Sequence, residues 1–166
     1  ALPIVKDDER WHMSLVNTRA RLRMTTLYYF SALNNFLVLG TGNKVEDFGV
    51  GFFTKYGDGG VDLSPIADLV KSEVYELGKE LNIITEIMEA PPTDGLWGDD
   101  RTDEDQIGAS YPELEWAMDI LAKGIIDFNT FTERQKEVLA IYTRMNRANQ
   151  HKMKPIPTCI IPSELK

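Results

Sequence analysis

Apolar and polar residues follow helical periods along most of this chain, and a strand-like run appears once. From residue 7 to about residue 33, Trp11, Leu15, Thr18, Leu22 and Thr26 fall on one stripe at spacings of three and four, which predicts a long helix. Asp7 and Asp8 suit its start. Phe36-Leu-Val-Leu39 is a short apolar run set off by Asn34-Asn35 and ended by Gly40, and it predicts a buried strand. Residues 41–65 are glycine-rich, with a short helix expected near Lys44 to Phe48. Asp68 to about Leu81 is strongly amphipathic, and a second short helix fits Ile84 to Glu89 before Pro91-Pro92 stops it. Residues 93–109 are polar and acidic and read as an exposed, mobile loop. Tyr111-Pro112 opens a helix ending near Gly124, Thr132 caps a last helix to about Gln150, and the tail from Pro155 is extended.

Helix, tight turn, buried strand and glycine loop follow one another as in an α/β sheet. One strand cannot make a sheet. The pattern therefore predicts either strands hidden from periodicity or strands in sequence outside these residues. The opening Ala-Leu-Pro-Ile, without Met, leads straight toward a helix, and the expectation is a single domain over 1–166 that lacks its N-terminal portion.

Composition narrows the classes. The chain has 166 residues, 43% of them hydrophobic, which suffices for one domain with a core. A net charge of −8 argues against nucleic acid as a partner, and no apolar run is long enough to span a membrane. The single cysteine, Cys159, rules out an intrachain disulfide and fits a cytoplasmic protein. Two histidines, His12 and His151, cannot build a His-based metal centre or a triad by spacing.

The chemistry concentrates in three stretches. Gly51-Phe-Phe-Thr-Lys-Tyr-Gly-Asp-Gly-Gly-Val-Asp62 places Lys55 where a phosphate or carboxylate can meet it, and Asp58 and Asp62 where ribose hydroxyls or an amide can donate. Gly57, Gly59 and Gly60 allow positive φ and close approach to a ligand, although turn residues also cluster for backbone reasons alone. Gly40-Thr-Gly-Asn-Lys-Val-Glu46 follows the strand's carboxyl end, where open α/β sheets bind ligands. There Thr41 can touch a nucleotide, and Glu46 is a hard-oxygen donor of the kind Mg²⁺ uses; Glu46 also suits a helix start, and Asp47 competes with it for a metal. Asn17-Thr-Arg-Ala-Arg-Leu-Arg23 sets Arg19 and Arg23 on one helix face and Arg21 with Asn17 on another, for anion recognition, a charged subunit contact, or a solvated face.

Taken together these stretches resemble the ammonia-dependent NAD synthetases. Asn17-x-x-Ala-Arg-x-Arg-Met24, Gly40-Thr-x-x-x-x-Glu46, Phe53-Thr-Lys-Tyr-Gly-Asp58, Lys71-x-Glu-Val-Tyr-Glu-Leu77, Pro92-Thr93, Asp103-Glu-x-x-Ile-Gly108 and His151-Lys152 run in that family's order and spacing over nearly the whole chain. The resemblance implies the C-terminal part of an adenine-nucleotide α-hydrolase-like, Rossmann-like parallel sheet with flanking helices. It implies a homodimeric ligase that uses ATP and Mg²⁺ to adenylate the carboxylate of deamido-NAD, after which ammonia displaces AMP to give NAD. Arg21, Lys55, Asp62, His151 and Lys152 would contact deamido-NAD; Thr41, Lys71 and Thr93 would contact ATP; Glu46 would hold Mg²⁺. Residues 93–109 would be a lid, and the first helix would build the dimer interface beside the substrate site. The family's Ser-Gly-Gly-x-Asp-Ser pyrophosphate loop does not occur in these 166 residues, nor does a glutaminase domain, so free ammonia is the expected nitrogen source. Two alternatives stand beside this reading: a non-catalytic dinucleotide-binding or dimerisation fragment, and another adenylating amidase of the same fold.

Overall fold

A computed structural model describes residues 8–124 and 127–166. Helix α1 runs from Glu9 to Asn34; Asp8 accepts from Arg10 N at its start, and Asn35 ends it in a left-handed conformation. Asp7, also expected at the start, lies outside the described residues. A six-residue π-helix, Val45–Val50, replaces the expected short helix. Then follow α2 (Lys71–Glu80), α3 (Thr85–Met88), α4 (Asp103–Ile107), α5 (Tyr111–Lys123) and α6 (Glu133–Met153), with 3₁₀ turns at Phe128–Thr130 and Ser163–Leu165. Helix α2 starts three residues later than the periodicity predicts, because residues 65–69 form turns closed by Ala67 N on Ser64 O and Leu69 N on Ile66 O.

The core lies between the π-helix, α5 and α6. Val45, Val50, Ile107, Ala109, Tyr111, Leu114, Ala117, Val138, Leu139 and Tyr142 bury together, with Phe52, Trp116 and Phe131 packed around them. Pro112 inside the first turn of α5 and Gly124 at its end fix that helix, and the Thr132 side chain accepts from Gln135 N to start α6. Arg134 clamps α6 to the start of α5: its Nε and an Nη donate to the two oxygens of Glu113 at 2.7 and 2.8 Å.

Among the described residues no strand forms. Val38 to Gly40 pairs with Asp62 to Leu63 through one parallel bridge, Leu39 with Leu63; Gly40 N donates to Leu63 O at 2.6 Å, and Asp62 N to Val38 O at 2.9 Å. The run Phe36–Leu39 is therefore extended but not buried. Val38 is 6% exposed, whereas Phe36 is 70% exposed and Leu37 and Leu39 are above half. Alternation explains Leu37 and Leu39, which point away from the side that Val38 shares with its one neighbouring segment, while Phe36 precedes the paired residues.

The stripe expected on α1 is also corrected. Val16 and Ala20 are the buried positions, while Leu22 is 62% exposed. The reason is close approach: a Cβ placed on Gly57 would lie 2.9 Å from the Ala20 Cβ, so this side of α1 needs a small residue rather than a large one. The loop 93–109 is corrected as well, since it contains α4 and buries Leu96 against Val16 and Ala20.

Leu114 is fully buried, so Leu114→Ala is expected to lower the unfolding free energy by about 2–5 kcal/mol in urea titrations. Glu113 gives a pH test. The Arg134 guanidinium, then the Ser110 N–H, lower its carboxyl from 4.5 to about 2. A depressed folded value contributes stability that is present above 4.5 and disappears as pH falls through about 2. Stability measured across that window is expected to fall more steeply in the wild type than in Glu113→Gln.

Candidate active site

Two clusters flank the π-helix. The first gathers on the loop 51–62, which α1 grips from one side and α6 from the other. On α1, Asn17 Oδ1 accepts from the Thr54 hydroxyl at 2.8 Å, and Arg21 Nε donates to Lys55 O at 3.3 Å. At the end of α6, Lys152 Nζ donates to Gly51 O at 2.9 Å and to Phe53 O at 2.7 Å, above the Phe53 ring. Lys55 Nζ donates to the carbonyl of His151 and lies 5.5 Å from the centre of the Tyr56 ring. Arg21, Lys55, His151 and Lys152, which are far apart in sequence, thus meet around one loop.

The glycines of this loop act differently from the sequence reading. Positive φ falls on Gly51 (65°) and on Tyr56 (63°), not on Gly57, Gly59 or Gly60. Those three are required by closeness: a Cβ on Gly57 would press on Ala20 and Thr54, one on Gly59 on the Phe53 ring, and one on Gly60 on Met24.

Asp62 anchors this region rather than projecting freely. Its Oδ1 accepts from the Tyr28 hydroxyl at 3.0 Å and its Oδ2 from Val38 N at 2.9 Å, which joins α1 to the bridged segments. Between the bridge, the π-helix and the loop lies a pocket of about 150 Å³, lined by Gly40, Gly42, Asp47, Phe53, Asp58 and Lys152 among others. Asp47 faces it. Burial, then the charges of Glu46 and Asp58, push its carboxyl up to about 6. Burial raises Asp58 too and lowers Lys152, with Asp58 opposing the latter shift.

The second cluster lies around Glu46, on the other side of the π-helix from Asp47. Lys71, the first residue of α2, pairs with Glu46 Oε1 at 3.2 Å and sits 4.6 Å from the centre of the Tyr111 ring. The Tyr111 hydroxyl donates to the same Glu46 oxygen and lies 3.4 Å from Asp103 Oδ2. Glu46 Oε2 accepts from Asn43 N at 3.2 Å. Asp103 is 9% exposed, and among the described residues its Oδ1 has no hydrogen-bond partner. Burial pushes both the Asp103 carboxyl and the Tyr111 hydroxyl up, so Tyr111 stays a donor.

Glu46 and Lys71 therefore meet, although they lie 25 residues apart in the sequence. Thr41 is exposed beside Gly40 and makes no contact with them through its side chain. Thr93 is exposed at the neck of the loop 93–102, where its hydroxyl donates to Arg101 O at 3.2 Å and Asp103 N donates to Pro92 O at 3.0 Å. Arg19 and Arg23 hold that loop on α1 by donating to the carbonyls of Leu96, Asp94 and Gly95. Both are exposed, yet both are engaged with main chain. The sequence reading missed Asp103 as a buried acid and Tyr111 as a donor. A Tyr at a helix start whose first-turn acid is Glu113 carries no mark of either role.

The donor chemistry at Glu46 fits Mg²⁺, which takes one or two carboxylates and completes its shell from phosphates and water. Among the described residues no three His, Cys, Asp or Glu side chains gather as a metal site. A cation on Glu46 would displace Lys71, leaving that ammonium for an anion.

Comparison with known proteins identifies the family. The NAD synthase family model matches residues 5–156. An NH₃-dependent NAD⁺ synthetase of Syntrophomonas wolfei is 43% identical over 150 residues, covering 90% of this chain and 55% of its own length. The enzyme of the same name from Thermoplasma acidophilum is 46% identical over 118 residues, 71% of this chain and 46% of its own. Among solved structures, NMN synthetase from Francisella tularensis superposes with a TM-score of 0.71 at 34% identity, covering 89% of this chain and 56% of that one. NH₃-dependent NAD synthetase from Campylobacter jejuni gives 0.67 at 29% identity, over 97% and 58%. The chain thus spans about half the length of the relatives it matches, and it belongs to the NAD synthase family.

Proposed function

We propose that the protein of which this chain forms about half the expected length amidates deamido-NAD with ammonia, consuming ATP and Mg²⁺ and releasing AMP and pyrophosphate. The observation that carries this reading is the convergence of Arg21, Lys55, His151 and Lys152 on one loop, next to a Lys71–Glu46 pair, in a chain of this family.

The chemistry follows from the electrophile. A carboxylate resists attack by ammonia because oxide is a poor leaving group. Transfer of AMP from ATP to the nicotinate carboxylate converts that oxygen into a good leaving group, and ammonia then adds and expels AMP. Lys71 would meet the ATP phosphates, with Thr41 and Thr93 as further nucleotide contacts. Mg²⁺, held by Glu46, would neutralise the departing pyrophosphate. Arg21, Lys55, Asp62, His151 and Lys152 would bind deamido-NAD. Two of these contribute through placement: Asp62 fixes the segments below the loop, and His151 offers its carbonyl to Lys55. The loop 93–102, clamped at its neck and held by Arg19 and Arg23, would exclude water from the acyl-adenylate.

The parallel pairing of residues 38–40 with 62–63 supports a place for these segments in an α/β sheet of the adenine-nucleotide α-hydrolase type, with 1–166 within one domain. Leu22, Leu27, Tyr29, Phe30 and Leu33 leave α1 with an exposed apolar surface, which supports its use in a homodimer. No helix among the described residues is long and apolar enough to cross a membrane, and the proposed location is the cytoplasm.

The likeness to an NMN synthetase favours a second substrate, the mononucleotide with the same carboxylate. Both are tested together. Protein, ATP, Mg²⁺ and ammonium are incubated with deamido-NAD or with nicotinate mononucleotide, and the amide product and AMP are quantified. NAD formed only when all four components are present is the expected result. Preferential amidation of the mononucleotide would replace deamido-NAD as substrate, and binding of deamido-NAD without AMP release would leave this chain as a recognition module. Lys55→Ala is expected to weaken deamido-NAD binding about ten- to a hundredfold, the equivalent of one charge-assisted hydrogen bond. Calorimetric titration checks the affinity, and a melting curve close to the wild type's separates ligand contact from loss of fold.

A further inference from the structure

Asp103 does not cap the helix it begins. Thr102 and Asp105 already cap α4, the Thr102 hydroxyl accepting from Asp105 N at 3.1 Å and the Asp105 carboxylate from Thr102 N at 2.9 Å. The Asp103 carboxyl instead turns inward and is 9% exposed. Its Oδ1 meets no donor, and its Oδ2 lies 3.4 Å from a hydroxyl that has only one hydrogen to give. Glu46 takes that hydrogen at the shorter distance. Glu46 is thus served by Lys71, Tyr111 and the Asn43 N–H, while Asp103, on the far side of the same hydroxyl, is served by nothing of normal length. A buried carboxylate without a donor is unfavourable, and a second carboxylate nearby makes it more so.

Resting on the cation reading of Glu46, we propose that Asp103 is a positioning residue which, through Tyr111, raises the affinity of Glu46 for a hard divalent cation. In the Lys71-paired arrangement the single charge of Lys71 faces two carboxylates, Glu46 and Asp103, so an excess of negative charge remains. It is relieved when a cation takes Glu46, because the cation offsets both carboxylates and frees the Tyr111 hydroxyl to donate to Asp103. Lys71, displaced by the same event, becomes available to a phosphate. Stability and cation affinity are then coupled with opposite signs: removing the Asp103 charge stabilises the cation-free protein and weakens its response to the cation.

Asp103→Asn keeps the shape and removes the charge. Melting temperatures of the wild type, Asp103→Asn, Tyr111→Phe, the double variant and Glu46→Gln are measured in EDTA, in MgCl₂, and in MgCl₂ with ATP. Asp103→Asn is expected to melt several degrees above the wild type in EDTA and to gain less from magnesium. Tyr111→Phe is expected to reduce the magnesium gain to the same level, with no further loss in the double variant, and Glu46→Gln to show no gain. An Asp103→Asn protein that melts at or below the wild type in EDTA overturns the inference. So does a magnesium gain equal to the wild type's, and additive losses in the double variant overturn the route through Tyr111. A gain shared by wild type and Asp103→Asn but absent in Glu46→Gln removes only the role of Asp103. No gain in the wild type, with or without ATP, removes the cation reading of Glu46 and this inference with it.

Discussion

The ammonium of Lys152 is the fixture on which the loop 51–62 depends. It is half-buried, and it donates to the carbonyls of Gly51 and Phe53, groups that follow the π-helix. Burial disfavours its charge and Asp58 restores part of what burial removes. Around this fixture the rest of the site takes its place. Asn149 and Asn146 donate to the carbonyls of Val50 and Gly49, so α6 closes the end of the π-helix residue by residue. Gly51 suits that junction on two counts: φ is positive there, and a side chain would meet Asn149 and Met153. Position and identity are tied: a cation that must satisfy two carbonyls cannot wander, and the loop it holds brings Lys55 to the carbonyl of its neighbour His151.

Helix α1 contributes the other half of the grip, and it does so with alternate residues. Asn17 and Arg21 reach the loop 51–62, Arg19 and Arg23 reach the loop 93–102, and Tyr28 reaches Asp62. Backbone carbonyls receive most of these bonds, so the loops are held by shape more than by side-chain identity. That is why the arginine cluster, which in sequence could serve an anion, a partner or the solvent, has a definite task in the fold. All three of its members donate to main-chain carbonyls, and Arg21, which does so at Lys55, stands near the proposed dinucleotide contacts.

Much of this was legible in the sequence, and the exceptions have physical causes. Asp8, Thr132 and Gly124 marked helix ends through local capping chemistry, which depends on neighbours within four residues. The ordered motifs named residues that the fold gathers into two clusters, because those motifs carry chemistry and not only propensity. The stripe on α1 failed since its inner side packs against glycines, and a close backbone contact selects Ala20 where a hydrophobic count selects Leu22. The buried strand failed since burial of an extended run is decided by distant segments. Asp103 and Tyr111 were missed because their partners lie 65 and 8 residues away, and nothing local marks an acid that turns inward.

The π-helix holds Glu46 and Asp47 side by side in sequence yet assigns them to separate compartments, one beside Lys71 and Tyr111, the other in the pocket with Asp58 and Lys152. Its wide turn is closed by Gly51 N and Phe52 N, both donating to the carbonyl of Glu46. Segment length is therefore a variable in its own right here. Losing or gaining a single residue between Val45 and Val50 would rotate the acids relative to both compartments without altering any side chain. Insertions and deletions at this turn can thus retune the site in ways that no point substitution reproduces.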